Sequence, residues 1–231
     1  MLSIIIPVYN EINTIEKIID RVNKVNFISK EVILVDDCST DGTKSLIKNK
    51  LYTKVQKVIY HEYNQGKGAA IRSAQKIING NIVLIQDADL EYSPEDYEIL
   101  LKPILDKKFQ VVYGSRVLGR NRYKVSDFSS VRRVFFNHLL TILSNILNKQ
   151  KLTDAHTCYK VFESELFKKI DLKEKRFGFC PEVTTKISKL GYKIKEIPIS
   201  YKGRSFEEGK KIGLIDGFDA IKCLIKYKFI D

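Results

Sequence analysis

Short apolar runs separated by segments of helical period fill the first half of the chain and leave it few folds to choose from. Strands are predicted at residues 2–8, 31–35, 55–60, 81–86 and 110–113. Between them, residues 14–25 carry Ile15, Ile18, Ile19 and Val22 at helical spacing, and residues 43–50 and 68–78 also read as helices. Ser93-Pro94-Glu95-Asp96 starts another, with proline at the first helical position and acids in the first turn. Repeated β–α units of this kind require an α/β fold, a Rossmann-like, mostly parallel sheet with helices on both faces. Ligands of such sheets bind beyond the carboxyl ends of the strands, where the acidic and glycine-rich clusters of this chain fall.

The fourth run, Ile82-Val83-Leu84-Ile85, breaks abruptly into Gln86-Asp87-Ala88-Asp89-Leu90-Glu91. At the end of a buried strand this spacing brings several carboxylates to one point. Oxygen-only ligands suit a hard divalent ion, Mg²⁺ or Mn²⁺, that keeps waters and takes further ligands from substrate phosphates. A solvated acidic turn is the plainer alternative. After the first strand, Tyr9 offers an aromatic face for a base and Glu11 a carboxylate to hydrogen-bond it. After the second, Asp37 is placed to accept from a base or ribose. Asp36 and Asp41 either share that task or cap the helix that follows. Gly66-Lys67-Gly68 opens a helix whose glycines allow close backbone approach and whose N-terminus favours an anion. It is not a P-loop, because the G-x-x-x-x-G-K-[ST] pattern is absent.

At 231 residues the chain fits one domain, 1–231, with a regular β–α half at 1–114 and a half of different character at 115–231. The formal charge of +12 suits nucleic acid, an anionic membrane surface or a phosphorylated substrate. Helix-turn-helix, zinc-finger and RNP signatures are missing, so nucleic acid is not expected as a partner. No stretch reaches the ~20 apolar residues that span a bilayer, and the N-terminus runs straight into a strand rather than a signal peptide. Four cysteines without C-x-x-C spacing indicate neither a zinc site nor a disulfide framework, and a reducing cytoplasm is the expected home.

The second half opens with a basic, turn-rich stretch, 114–130, carrying Arg116, Arg120, Arg122 and Lys124. Residues 131–147 follow as an apolar helix in which Phe135, Leu139, Ile142, Leu143 and Ile146 form one stripe, preceded by Arg132 and Arg133. Such a face packs against the sheet or a second subunit, or lies in lipid headgroups. Residues 157–162 and 192–200 read as strands, 181–190 as a helix, 202–211 as an aperiodic basic segment and 212–229 as a closing amphipathic helix.

Taken together, Pro7-Val8-Tyr9-Asn10-Glu11, Val35-Asp36-Asp37-Cys38-Ser39-Thr40-Asp41-Gly42-Thr43, Asn64-Gln65-Gly66-Lys67-Gly68 and Asp87-Ala88-Asp89 resemble family 2 glycosyltransferases of the GT-A fold. Downstream, Gly114-Ser115-Arg116, the block from Asp154 to Phe162 and the block from Arg204 to Lys210 resemble the dolichyl-phosphate mannose synthase branch and its bacterial polyprenyl-phosphate relatives. The resemblance implies a metal-dependent, inverting transfer from a nucleotide diphosphate-sugar to a polyprenyl phosphate. It assigns the nucleotide to Pro7, Tyr9, Glu11, Asp37, Lys67, Asp87 and Ala88, and Mg²⁺ or Mn²⁺ to Asp87, Asp89 and Glu91. It assigns the acceptor phosphate to Arg116, Arg132, Arg133, Arg204 and Lys210, and the chemistry itself to Asp89, Arg116, Asp154 and Arg204. Asp154 or Glu182 positions acceptor or sugar, or serves as base if the acceptor is an alcohol, and His156 lies within a matching block. The Q-x-x-R-W motif of saccharide-extending relatives is missing. The resemblance further implies a peripheral enzyme on the cytoplasmic membrane face, as a homo-oligomer or beside a separate membrane-anchor subunit. The alternatives are transfer to a saccharide or protein hydroxyl, a nucleotidyltransferase, and a non-catalytic sugar-nucleotide-binding module.

Overall fold

The apolar runs pair side by side. The computed structural model describes residues 1–119, 131–204 and 214–230, with the backbone alone for 131–133 and 214–216. β1 (Leu2–Val8) lies between β2 (Lys30–Asp36) and β4 (Ile82–Ile85), parallel to both, in registers that set Val8 beside Asp36 and Ile5 beside Ile85. β3 (Lys57–Tyr60) extends the sheet parallel to β2, and β5 (Val111–Ser115), β6 (Lys160–Glu163) and β7 (Lys195–Pro198) complete the order β3-β2-β1-β4-β6-β5-β7. β6 runs antiparallel to both β4 and β5. The strand order reverses between β1 and β4, which opens a crevice at their carboxyl ends.

The helices follow the sequence pattern with local departures. α1 (Ile15–Lys24) buries Ile15, Ile18, Ile19 and Val22, the four predicted positions. α2 (Thr43–Leu46) is shorter than expected, because its next turn widens to a π-helix over Ile47–Leu51 before a 3₁₀ turn at Tyr52–Lys54. The widening keeps both Ile47 and Leu51 in the core. α3 (Lys67–Gln75) packs on β1 and β2, and α4 (Tyr97–Leu105) on β5, β6 and β7. The predicted strand at 157–162 begins only at Lys160, because the buried Lys160 ammonium folds back onto the carbonyls of Ala155 and Thr157. The short α6 (Ser164–Lys169) was not expected from the sequence.

α5 (Val131–Asn148), α7 (Phe179–Lys189) and α8 (Leu214–Phe229) pack on one another beside the sheet. The orientation of α5 is the reverse of what its stripe would require for a core helix. Thr141, Ser144 and Asn148 are buried together with Val134 and Leu140, whereas Phe135, Phe136, Leu139, Ile142 and Ile146 are exposed. Packing of the whole stripe against the sheet is therefore excluded. α8 repeats the pattern, burying Ala220, Cys223, Leu224 and Tyr227 and exposing Phe218, Ile225 and Phe229. Among the described residues no helix is long and apolar enough to cross a membrane.

Candidate active site

Four chain segments converge where β1, β2 and β4 end. Pro7, next to last in β1, is half-buried, Tyr9 is half-buried beyond the strand, and Asn10 takes a left-handed φ of 53°. Asn10 Oδ1 accepts from the Thr40 backbone N–H at 2.8 Å, and the Glu11 N–H donates to Thr43 Oγ1 at 3.0 Å. Asp41 accepts from Thr43 N–H (3.0 Å), Thr43 Oγ1 (2.6 Å) and Ile12 N–H (3.1 Å), which makes it a cap and a stitch between two loops. Asp36 is fully buried and accepts from the Ser39 N–H at 3.4 Å.

Asp37 holds the glycine turn. Its carboxylate accepts from the backbone N–H groups of Gln65 (2.9 Å) and Gly66 (2.6 Å) and lies 2.6 Å from His61 Nδ1, whose Nε2 lies 2.9 Å from Ser73 Oγ. The glycines are required by close approach of the chain itself. A Cβ on Gly66 would sit 2.5 Å from the Lys175 carbonyl, and one on Gly68 2.4 Å from that of Glu174. That neighbouring loop is pinned by the fully buried Glu182, which accepts from the N–H groups of Lys173 (2.7 Å) and Glu174 (2.9 Å) and pairs with Lys186 (2.9 Å). Glu182 is thus a structural residue rather than an acid facing the crevice.

The turn so fixed aims Lys67 at the acidic motif, with Nζ 2.5 Å from Asp87 Oδ1 and 3.3 Å from Cys158 Sγ. Burial opposes the charge of Lys67, but Asp87 outweighs it and holds the ammonium above its ordinary range. Gln86 braces the motif from behind. Its Oε1 accepts from the hydroxyls of Tyr97 and Tyr159, each at 2.7 Å, and its amide donates to the Asp87 carbonyl at 3.0 Å. Leu90 then turns left-handed at φ 64°, and the Glu91 N–H donates to Asp89 Oδ1 at 3.0 Å. Ala88 is buried, and only about a sixth of Asp89 and a fifth of Asp87 is exposed. Burial, then the charges of Asp87 and Glu91, push the Asp89 carboxyl up to about 7.

Arg204 closes this cluster from the far end of the chain. Its guanidinium grips Glu11 bidentately (3.0 and 3.1 Å) and reaches Asp89 Oδ2 at 3.2 Å, while its backbone N–H donates to Glu91 Oε1 at 2.7 Å. The other Glu91 oxygen accepts from the Tyr201 hydroxyl at 2.8 Å. Arg116 lies over the Tyr201 ring, 5.2 Å from its centroid. It is buried against Asp154 through two side-chain bonds of 2.6 and 2.8 Å, with its own N–H adding a third at 3.2 Å. Burial works against the Asp154 carboxylate, but Arg116 overrides it and holds the group below its ordinary range, which suits a fixed counter-charge and not a base. His156 is pushed down to about 4, chiefly by burial and then by Lys160. Arg132 and Arg133 have no described side chains, and Arg120, Arg122, Lys124 and Lys210 lie outside the described residues. Sequence reasoning missed Tyr201, Gln86 and Glu196. Glu196 accepts from the N–H groups of Thr153 and Asp154 at 2.7 and 2.8 Å. Of these, only Gln86, at the break between the apolar run and the acids, carried a local signal.

The model of glycosyl transferase family 2 matches residues 3–171, well over half of the chain. The chain is a family 2 glycosyltransferase. A dolichyl-phosphate beta-glucosyltransferase of Trichomonas vaginalis is 29% identical over 98% of this chain and 74% of that protein. A UDP-N-acetylglucosamine–dolichyl-phosphate N-acetylglucosaminyltransferase of Methanococcus voltae is 25% identical over 99% of this chain and 96% of its own. An uncharacterized protein of Methanocaldococcus jannaschii is 28% identical over 97% and 91%. Among solved structures, glucosyl-3-phosphoglycerate synthase of Mycobacterium tuberculosis superposes with a TM-score of 0.76 at 18% identity, over 100% of this chain and 81% of that one. The same synthase in complex with Mn²⁺, UDP and glucosyl-3-phosphoglycerate gives a TM-score of 0.72 at 20% identity, over 100% and 81%. At these identities the likeness shows the fold, GT-A, and nothing narrower.

The acidic motif of this glycosyltransferase passes a chemical test for a divalent ion. Among the described residues no three His, Cys, Asp or Glu side chains are already gathered as a metal cage. The donor set is oxygen-only, however, and the Asp89 carboxyl is raised by burial and by the charges of Asp87 and Glu91 beyond what Arg204 offsets. A hard cation satisfied by two carboxylates, waters and substrate phosphates fits such a set.

Proposed function

We propose that this glycosyltransferase moves a sugar from a nucleotide diphosphate-sugar to a polyprenyl phosphate, dolichyl or undecaprenyl, at the cytoplasmic face of a membrane. Asp87 and Asp89 hold Mg²⁺ or Mn²⁺, and Glu91, expected from the sequence as a third ligand, braces the turn behind them through Tyr201 and the Arg204 N–H. The ion, when bound, offsets negative charge on the leaving diphosphate. Pro7, Tyr9, Glu11, Asp37, Lys67 and Ala88 line the nucleotide side, and Lys67 adds a fixed cation there. Arg116 and Arg204, with Arg132, Arg133 and Lys210, serve the acceptor phosphate.

The observation that carries this reading is that the acids around the crevice are already committed. Asp154 is bound to Arg116, Asp37 to the N–H groups of Gln65 and Gly66, and Glu182, behind the glycine turn, to two further backbone N–H groups. A hydroxyl acceptor needs a general base. A phosphate is an anion at neutral pH and attacks the anomeric carbon without one. Its oxygen forms the new bond to carbon, the bond to the diphosphate breaks, the nucleoside diphosphate leaves, and the single displacement inverts the centre. Two relatives named for dolichyl-phosphate acceptors support the same acceptor class. So does the exposed apolar face of α5 and α8, which suits a membrane surface holding the polyprenyl tail.

The test is incubation with a panel of nucleotide sugars, polyprenyl phosphate and Mn²⁺. A chloroform-soluble, EDTA-sensitive sugar product is expected. Sugar transfer only to added saccharides or proteins, or full turnover in EDTA, would overturn the acceptor or the metal respectively.

A further inference from the structure

Arg204 occupies the crevice it is assigned to serve. Its guanidinium stands among Glu11, Asp89 and Glu91, two of which belong to the metal-ligating motif. Only 17% of its side chain is exposed, and its buried Nε has no hydrogen-bond partner among the described residues, so the bonds described there hold the group chiefly by charge. The backbone around it is clasped as well. Glu91 takes the Tyr201 hydroxyl on one oxygen and the Arg204 N–H on the other, and its carbonyl accepts from the Lys202 N–H at 2.9 Å. Tyr92 and Tyr201 form an isolated antiparallel bridge with their rings 5.2 Å apart. Glu91, which the sequence offers as a third metal ligand, is spent in this way on fastening the Tyr201–Arg204 stretch to the acidic turn.

We propose that Arg204 is a latch that stands in for the divalent cation, so that metal and guanidinium exclude each other at Asp89 and loading of the metal releases Arg204. The inference rests on the metal reading given above and adds an order to it. A guanidinium engaged with Glu11 and Asp89 has three of its five N–H donors spent and its Nε–H buried, so it offers an acceptor phosphate no two-pronged grip. Once a divalent ion neutralises Asp89, the attraction holding Arg204 falls, and the arginine becomes available to an incoming anion. Metal and donor therefore enter first and acceptor second. Without its ligands the crevice is held closed by the enzyme's own cation, which keeps a stray phosphate from reaching an unloaded site. Glu91 is then a positioning residue that keeps the released arginine next to the turn.

Trypsin reads the latch directly, because it must take the arginine side chain into its own pocket. The wild-type protein is digested with and without Mn²⁺, alone and with UDP or GDP, and cleavage after Arg204 is followed by mass spectrometry. Cleavage after the exposed Lys108 serves as the internal control. Binding of Mn²⁺ is measured in the same samples by loss of its free-ion EPR signal, for wild type and Arg204→Gln. Cleavage after Arg204 should accelerate at least ~fivefold on metal loading while Lys108 is unchanged, and Arg204→Gln should bind Mn²⁺ alone at least ~fivefold more tightly, the lower end of coupling between linked sites. Bound Mn²⁺ with unchanged or slower cleavage after Arg204 overturns the latch and leaves the metal reading standing. No Mn²⁺ binding by either protein overturns the metal reading and the latch with it.

Discussion

Replacing Asp89 by asparagine should make the metal-free enzyme more stable at alkaline pH while destroying its activity. The carboxyl of Asp89 is raised from an ordinary 3.8 to about 7 by burial and by the neighbouring charges of Asp87 and Glu91, even with Arg204 beside it. A carboxyl pKa raised on folding means that the folded state prefers the proton. The associated stability is fully present below about pH 4 and is lost as pH rises through about 7. The gap corresponds to about 4 kcal/mol once Asp89 is fully ionised. Asparagine is isosteric and keeps an oxygen for the Glu91 N–H, but it gives up the ion pair with Arg204 at 3.2 Å. Because the raised pKa already includes the pull of Arg204, no separate ion-pair contribution is subtracted, and a net gain of about 2–4 kcal/mol at pH 8 is expected after some local relaxation. The assay is urea unfolding of both proteins in EDTA at pH 4 and pH 8. The variant should be close to wild type at pH 4 and clearly above it at pH 8. A stability difference that does not change between the two pH values, or a variant weaker than wild type at pH 8, would refute the argument. Turnover in Mn²⁺ should be abolished in the same variant, because a neutral amide is a poor ligand for a hard cation.

Three further outcomes are expected. Arg116→Ala strands a buried carboxylate at Asp154 and should cost about 3–5 kcal/mol in urea unfolding; the Arg116→Met, Asp154→Leu pair should recover most of that stability without recovering turnover. Gly68→Ala would ordinarily favour a helix, but its methyl meets the Glu174 carbonyl at 2.4 Å in a loop that Glu182 holds rigid, so a loss of about 1–3 kcal/mol is expected where an unconstrained site would gain. In liposome flotation the wild type should rise with anionic vesicles and less so at high salt, and a folded Phe135→Ser, Phe136→Ser variant should rise less; equal flotation of both would reassign the α5 face to a second subunit or an anchor protein.

The sequence pattern fixes what is local. The order of strands and helices from β1 to α4 follows from periodicities of two and 3.6, and the acid pair after β4 stands out because an aliphatic run ends in it. What the pattern does not carry is direction and partnership. The antiparallel setting of β6 depends on where the chain returns after α5, and nothing inside Lys-Val-Phe-Glu encodes it. The stripe on α5 is plain in the sequence, but which side of the helix meets the protein is decided by Thr141, Ser144 and Asn148 packing inward. The same gap explains the acids. Asp37, Asp154 and Glu182 are each a plausible ligand in isolation, and each is claimed by partners that only the fold brings near. Arg204 and Glu11 are 193 residues apart. No window along the chain contains both.

These long-range pairs give the crevice its logic. Glu11, Asp87, Asp89 and Glu91 bring four carboxylates to one side of the sheet, and Lys67 and Arg204 bring two cations. A nucleotide diphosphate approaching that arrangement meets an excess of negative charge. Lys67 cannot relieve it alone, because its ammonium is already bound to Asp87. On the proposed reading the divalent ion and the diphosphate must therefore arrive together, each making the site acceptable to the other. Burial first, and then the charges of Asp87 and Glu91, raise the pKa of Asp89, which fits a carboxylate whose charge the protein does not fully offset. A site with one more fixed cation would bind the diphosphate without metal, but it would also hold the product just as firmly. On the same reading the acid-rich arrangement would take its affinity for the diphosphate from a bound ion and give it up with the ion, and Arg204 would then return to Asp89.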